Sequence, residues 1–541
     1  MKINVINPPA ELEAVLAGLV GQRIPERIVS RDHRVWKPDP TEIANRLGWL
    51  ALPQTMRSEI PRIRAFSEHI VARGITDVVL LGMGGSSLAP ETFARIFGSA
   101  PGLPRLHVVD TTHPDGVLSV ADRLDPASVF FVAATKSGTT VETISLLRFF
   151  YRWLAAAHGR SDVWESFAAI TDPGSPLADL ARHHGFAEVF LNPPDIGGRF
   201  SALSLFGLVP AGLIGIDLER LLDSAAAAYD RLTEDDSPGV MLGAVLSCAA
   251  RSGQDKATFV LPDTYSAFGD WAEQLIAEST GKQGTGIVPI VGEPLGDSTA
   301  YADDRLFIVF SEDGSSALPA ELRALEADGH PIVQLTWSEA HEIGGQFLTW
   351  EFATAVAGHL LGIHPFDQPD VESAKRAARH RMTDFQVSGV PPALNAPGAT
   401  RDGFWTFVEQ ATPSDYVALQ VYAPMTEQLI DMLSALRVEI RRRTGCAVTV
   451  GFGPRFLHST GQLHKGDRGN GRFVELVASP VQDADVPDGI GSTDSLFSFA
   501  TLLAAQALGD QDALRSAARE IEAFELGRDP AEAIGGLLEG G

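Results

Sequence analysis

At 541 residues, with 45% hydrophobic and 21% charged side chains, the chain has the length for roughly three to four domains and the apolar content to build their cores. Its 43 Lys and Arg stand against 69 Asp and Glu, a formal charge of −26. The average surface therefore repels nucleic-acid phosphates and anionic lipid, no concentrated basic patch offsets it, and the composition fits neither a disordered nor a fibrous protein.

The opening MKINVINPPAELEAV has no basic stretch followed by an apolar run, so it does not read as a secretory signal. Two cysteines, Cys248 and Cys446, are too few for a disulfide framework, and a reducing, cytoplasmic compartment is expected. The long uncharged run Phe200 to Ile216 is broken by Gly207, Pro210, Gly212 and Gly215 and falls short of the roughly 20 residues of a membrane span. It reads as a buried helix, and no membrane partner is expected.

From about Arg73 the chain repeats a short β-branched run, a Gly/Ser/Thr turn and a helical segment, the grammar of an α/β doubly wound parallel sheet. Strands are expected at Asp77–Leu81, Leu106–Val109, Val129–Ala133, Phe167–Ile170 and Val189–Leu191. A helical stretch Leu218–Ala250 leads to a second series: strand Ala257–Leu261, helix Ser266–Thr280, strands Leu306–Phe310 and Pro331–Thr336, and helix Gln346–Leu361. After a Pro/Gly/Ala-rich stretch, Ser388–Ala399, a small third unit reads strand Tyr416–Val421, helix Met425–Arg443, strand Ala447–Val450, a Gly-rich basic loop to Arg472, strand Phe473–Val477 and two closing helices.

Five segments could carry chemistry. In Gly82-Met83-Gly84-Gly85-Ser86-Ser87 a buried strand meets glycines and then a helix, which lets backbone N–H groups approach a polar ligand; the same turn also serves as a plain strand-to-helix connection. Its match to a dinucleotide fingerprint is partial, because Ser87 replaces the third glycine and Asp110 lies 28 residues beyond Gly82 rather than about 20. Thr135-Lys136-Ser137-Gly138-Thr139-Thr140-Val141-Glu142-Thr143 gathers hydroxyls and a cation at a helix start, suited to a phosphate monoester or to helix capping. Arg199, on the Gly197-Gly198 turn, could hold an oxyanion or stand at a surface helix start.

Gln274 and Glu278 share one helix face near its C-terminus, where the helix dipole should raise a carboxylate's pKa and favour its use as a base; a Glu278–Lys282 surface pair fits the spacing equally. In His364-Pro365-Phe366-Asp367-Gln368-Pro369-Asp370 a proline turn starts a helix, and the seven-residue spacing of Gln368 and Lys375 places both on one face. None of the 14 histidines joins a Cys, His or carboxylate at zinc-like spacing, so no metal is expected, and no Gly-x-Ser-x-Gly elbow supports a serine hydrolase.

In this order and at these spacings, over roughly residues 75 to 380, the five segments resemble phosphoglucose isomerase. More narrowly, RLGWLALPQTM and GFGPRFLHSTGQLHKG resemble the isomerase half of the bifunctional transaldolase/glucose-6-phosphate isomerase, although the segment before Gly82 is too short for a transaldolase barrel. The resemblance implies two tandem sugar-isomerase (SIS) domains, 51–216 and 217–390, between an N-terminal extension, 1–50, and a C-terminal α/β domain, 391–541. It implies interconversion of glucose 6-phosphate and fructose 6-phosphate through a cis-enediol, with no cofactor. Gly84, Gly85 and Ser86 would line the sugar; Thr135, Lys136, Ser137, Thr140 and Thr143 would form the phosphate pocket, with Gln274 and Gln368 also binding substrate. Arg199 would stabilise the enediolate, Glu278 would be the base, and Lys375 would assist ring opening.

The family's ring-opening histidine should come from the loop soon after the base, yet Gly292–Tyr301 contains none. His364, His341, His458 and His464 are candidates, with the Arg455–Lys465 loop preferred and His464 assigned. Three rivals remain: a nicotinamide-dependent oxidoreductase built on the Gly82 turn, a noncatalytic phosphosugar sensor, and an isomerase that also takes mannose 6-phosphate. The family implies a homodimer, though the enlarged C-terminal unit could replace a partner's contribution.

Overall fold

The computed structural model describes residues 2–312, 318–392 and 396–539. Three main sheets organise it. The first runs Arg105–Val109, Asp77–Gly82, Val129–Ala134, Phe167–Thr171, Glu188–Leu191, with every neighbouring pair parallel. The strands Asp77–Gly82 and Val129–Ala134 are buried at every position, which is why they read as unbroken apolar runs: helices cover both faces of the sheet. The order reverses beside Asp77–Gly82, so the loops after this strand and after Val129–Ala134 flank a crevice at the carboxyl edge, where doubly wound sheets bind ligands.

The second sheet orders Ile332–Thr336, Arg305–Ser311, Lys256–Val260 and Val288–Ile290 in parallel, with Ile3–Ile6 added antiparallel at its edge. That edge strand and Val288–Ile290 are too short to show a periodicity of their own. The expected Leu218–Ala250 helix is two helices, Leu218–Asp230 and Pro238–Arg251; Ser237 caps the second, its hydroxyl accepting from Val240 N, and Pro238 fits the first turn, where a missing N–H costs nothing. The uncharged run after Phe200 forms the helix Leu205–Leu213, started by Ser204, whose Oγ accepts from Phe206 N. One apolar core is shared by the first two sheets and the N-terminal helices.

The third sheet orders Ala447–Phe452, Tyr416–Tyr422, Gly471–Ala478 and Glu520–Gly527, all parallel. Its last strand corrects the expectation of two closing helices: Glu520–Gly527 lies between the helices Phe499–Ser516 and Pro530–Leu538. The Gly-rich loop also holds structure, a 3-10 turn Arg455–His458 and a short helix Gly461–Gly466. Both cysteines are buried free thiols. Among the described residues no helix is long and apolar enough to cross a membrane.

Candidate active site

A cavity of about 920 Å³ opens at the carboxyl edge of the first sheet and is closed by segments of the other two units. Every residue assigned a site role from the sequence lines it except Thr143 and His464.

The glycine turn is fixed by close approaches. Gly84 sits at φ +55°, and a Cβ there would lie 2.8 Å from Gln274 Nε2 and 2.9 Å from the His458 carbonyl. A Cβ on Gly85 would run into the carbonyl of Gly198, on the turn that carries Arg199. The first turn thus presses against both the helix that carries Gln274 and the turn that carries Arg199, and only glycine leaves the room.

The hydroxyl loop precedes the helix Val141–His158, whose first amides have no intrahelical acceptor and whose first residues, Val141 and Glu142, line the cavity. Thr135 and Thr140 hydroxyls meet at 2.8 Å and Ser137 and Thr139 at 3.0 Å. Lys136 lines the cavity but its ammonium is committed to Asp172 and, at 2.9 Å, to the Pro194 carbonyl. Thr143 departs from the expectation. One turn into the helix, its side chain is fully buried with Oγ1 unpaired, so the pocket's hydroxyls come from the loop itself.

Gln274 and Glu278 face the cavity from the helix Ser266–Thr280, as their four-residue spacing requires. Glu278 Oε1 accepts from Arg199 Nη1 at 2.9 Å and Oε2 from Gln274 Nε2 at 3.1 Å. Arg199 is almost wholly buried: Nε donates to Ser279 Oγ at 2.7 Å, and Nη2 donates to the carbonyls of Pro365 and Asp367 at 2.6 and 3.0 Å. Burial lowers its pKa, and Glu278 and Asp367 oppose that shift. The alternative Glu278–Lys282 pair does not form. Lys282 turns to Asp367 Oδ1 at 2.8 Å, and burial, with the neighbouring Arg199, pulls its pKa down to about 8.

Gln368 and Lys375 both line the cavity, but not for the reason the spacing gives: the helix begins at Val371, and Gln368 belongs to the loop before it. Lys375 Nζ lies 3.1 Å from Glu372 Oε1.

The His464 assignment is corrected by its position. It is buried inside the third unit against Tyr416, Phe456 and Phe473, with Nδ1 3.3 Å from Gln420 Nε2, and burial among cations holds its pKa well below the usual value. The histidine that reaches the cavity is His458. Its carbonyl accepts from Gln274 Nε2 at 2.6 Å and its Nε2 lies 3.0 Å from Glu142 Oε1, which also accepts from Gln506 Nε2 at 2.7 Å. Burial would raise the Glu142 pKa, but the facing His458 holds it below the usual carboxylate range. The sequence assigns no role to Glu142 or Gln506. An acid in a first helical turn reads as a dipole partner, and nothing local points to a histidine 316 positions away.

Among the described residues no group of three His, Cys, Asp or Glu side chains could hold a metal ion. The phosphoglucose isomerase family model matches residues 41–292. A glucose-6-phosphate isomerase of Thermus thermophilus is 30% identical over 389 residues, 63% of this chain and 91% of its own length. This chain belongs to the phosphoglucose isomerase family. The Rubrobacter xylanophilus glucose-6-phosphate isomerase is 29% identical over 62% of this chain and 89% of its own length. Among solved structures, a hypothetical protein of Thermus thermophilus superposes with a TM-score of 0.59 at 26% identity, covering 70% of this chain and 99% of its own. The glucose-6-phosphate isomerase of Chlamydia trachomatis shares the fold, with a TM-score of 0.58 at 20% identity over 69% of this chain and 86% of its own.

Proposed function

We propose that this cavity interconverts glucose 6-phosphate and fructose 6-phosphate by moving a proton between the first and second sugar carbons through a cis-enediol. The observation that carries the reading is Glu278, its two oxygens each held by one donor, Arg199 or Gln274, in the same cavity as the hydroxyl loop.

The hydroxyls and helix-start amides after Thr135 take the phosphate, where fixed donors and the positive helix end replace water. Glu278 accepts the proton from the second carbon of the open-chain aldose and returns it to the first, while the hydroxyl proton passes between the two oxygens. Arg199, preorganised by Ser279, Pro365 and Asp367, stands beside the base to stabilise charge on the enediolate oxygen, a type of contribution worth several kcal/mol in related chemistry. His458 opens the ring. Held by Glu142 through Nε2, it keeps Nδ1 as the second ring nitrogen for proton exchange. Gln274 Oε1 has no partner in the protein and is a free acceptor for a sugar hydroxyl. Lys375 and Gln368, which also line the cavity, contribute further contacts to the substrate.

The chain thus supplies each group of the site itself, and a homodimer, which the family implies, would not be needed to complete it. Two buried free thiols accord with a cytoplasmic location.

Turnover in D2O tests the proton-transfer path. A carboxylate shuttling a proton exchanges part of it with solvent, so deuterium should appear at the second carbon of glucose 6-phosphate and the first of fructose 6-phosphate. Turnover without any carbon-bound deuterium would point to a hydride shift and remove Glu278 from its role.

A further inference from the structure

The turn that carries His458 belongs to the third unit, while the groups it serves belong to the first two, so something must fix its position across that boundary. Arg455 begins this turn. Its Nε lies 2.9 Å from Asp110 Oδ2 and its Nη2 pairs with Glu91 Oε2. Asp110 follows the edge strand Arg105–Val109, and Glu91 sits in the first turn of the helix that follows the glycine loop. Arg455 and Asp110 side chains are each only 13% exposed, so this is a largely desolvated pair rather than a surface contact, and such pairs are costly to break from one side.

In a 3-10 turn, residues three apart eclipse each other, which puts Arg455 and His458 on one face, toward the first sheet. The turn is held at both ends: by Asp110 and Glu91 at Arg455, and by Gln274 and Glu142 at His458. Gly84, packed under the His458 carbonyl, leaves no slack between them. Nothing in the proposed chemistry uses Arg455, Asp110 or Glu91.

We propose that Arg455, gripped by Asp110 and Glu91, is a positioning residue: it docks the third unit onto the first sheet and sets the His458 imidazole against Glu142. The proposal rests on the proposed ring-opening role of His458. A displacement of about 1 Å at a reacting group can cost on the order of 100-fold in rate, so the clamp matters to catalysis without touching substrate.

The test is a double-mutant cycle on the full chain, with Arg455→Met and His458→Gln singly and together, following kcat/KM on glucose 6-phosphate. Arg455→Met should lose about tenfold or more in the parent background and less than about twofold in the His458→Gln background, because it acts only through the imidazole. Arg455→Lys should recover part of the loss. Inhibition by an open-chain enediolate mimic, 5-phospho-arabinonate, should be unchanged in Arg455→Met, since that ligand needs no ring opening. An equal loss in both backgrounds, or inhibition weakened as much as turnover, would make Arg455 a general structural residue and overturn the proposal.

A second readout is independent of turnover. In protein carrying isotope-labelled histidine, the His458 ring resonance, assigned by its loss in His458→Gln, should move in Arg455→Met relative to the parent. An unmoved resonance would also overturn the proposal. Failure of the ring-opening role shows differently, as unaltered kcat/KM in His458→Gln itself.

Discussion

Nε2 of His458 stands 3.0 Å from Oε1 of Glu142, and Gln506 donates to the same oxygen at 2.7 Å. One carboxylate oxygen of the helix Val141–His158 in the first unit thus meets two elements of the third. General acid–base groups typically contribute 10²- to 10⁴-fold, so His458→Gln should lower kcat/KM on glucose 6-phosphate by about 100-fold or more, with Glu142→Gln losing less. Steady-state kinetics on both variants checks this; a His458→Gln enzyme with parental kcat/KM would contradict it.

His464 should behave oppositely. It is buried with Nε2 unpaired and does not line the cavity, so His464→Ala should retain kcat within about twofold while its thermal midpoint falls. Emptying the site and leaving Gln420 without its ring partner should cost about 1–3 kcal/mol of stability. A folded His464→Ala protein without turnover would return the residue to the catalytic set.

Gly85 lies where a side chain would meet the Gly198 carbonyl, on the turn that aims Arg199. Gly85→Ala should therefore reduce kcat by pushing Arg199 away from Glu278, while inorganic phosphate, held by the hydroxyl loop, should bind as in the parent. Loss of phosphate inhibition with kcat intact would be the contrary result.

Glu475 gives a pH-dependent stability prediction. Its strand neighbour across the register is Gln420, its Oε1 accepts from Gln511 at 2.7 Å, and its Oε2 and Gln420 Oε1 are both unpaired. Burial pushes its pKa up to about 8 from an ordinary 4.5. Between those values the native state keeps a proton that the unfolded chain releases, so this group's contribution to stability falls as pH rises from about 4.5 to 8. Glu475→Gln removes that loss. Its thermal midpoint relative to the parent should be nearly unchanged at pH 5 and clearly higher at pH 8; a difference independent of pH across that range would show that Glu475 does not hold its proton.

How far the site can be read from the sequence follows from what is local. Strand Val129–Ala134 and helix Ser266–Thr280 announce themselves because burial on two faces and a 3.6-residue period are written in consecutive residues, and the Gln274–Glu278 pairing follows from helix geometry alone. Gln368 and Lys375 are placed together by a helical argument that fails, since proline and the cap at Asp370 delay the helix to Val371, yet a loop delivers Gln368 to the same cavity. The Arg455–Lys465 segment is legible as a source of chemistry, but not which of its two histidines faces in. That depends on the Arg455 clamp and on Gly84, contacts between residues hundreds of positions apart. Strand Glu520–Gly527, whose alternating charges read as polar, is recognisable only once its neighbour Gly471–Ala478 is in place.

The most direct test of the central claim is isomerisation of glucose 6-phosphate by purified protein, followed by separation of the sugar phosphates, with Glu278→Gln beside the parent. Glutamine keeps an amide oxygen that can accept from Arg199 Nη1, so the buried arginine retains a hydrogen-bond partner although its counter-charge is lost. The account predicts fructose 6-phosphate from the parent and at least about a 100-fold loss of turnover in Glu278→Gln, with phosphate inhibition retained. A Glu278→Gln enzyme working within about tenfold of the parent, or a parent that binds glucose 6-phosphate without converting it, would contradict it.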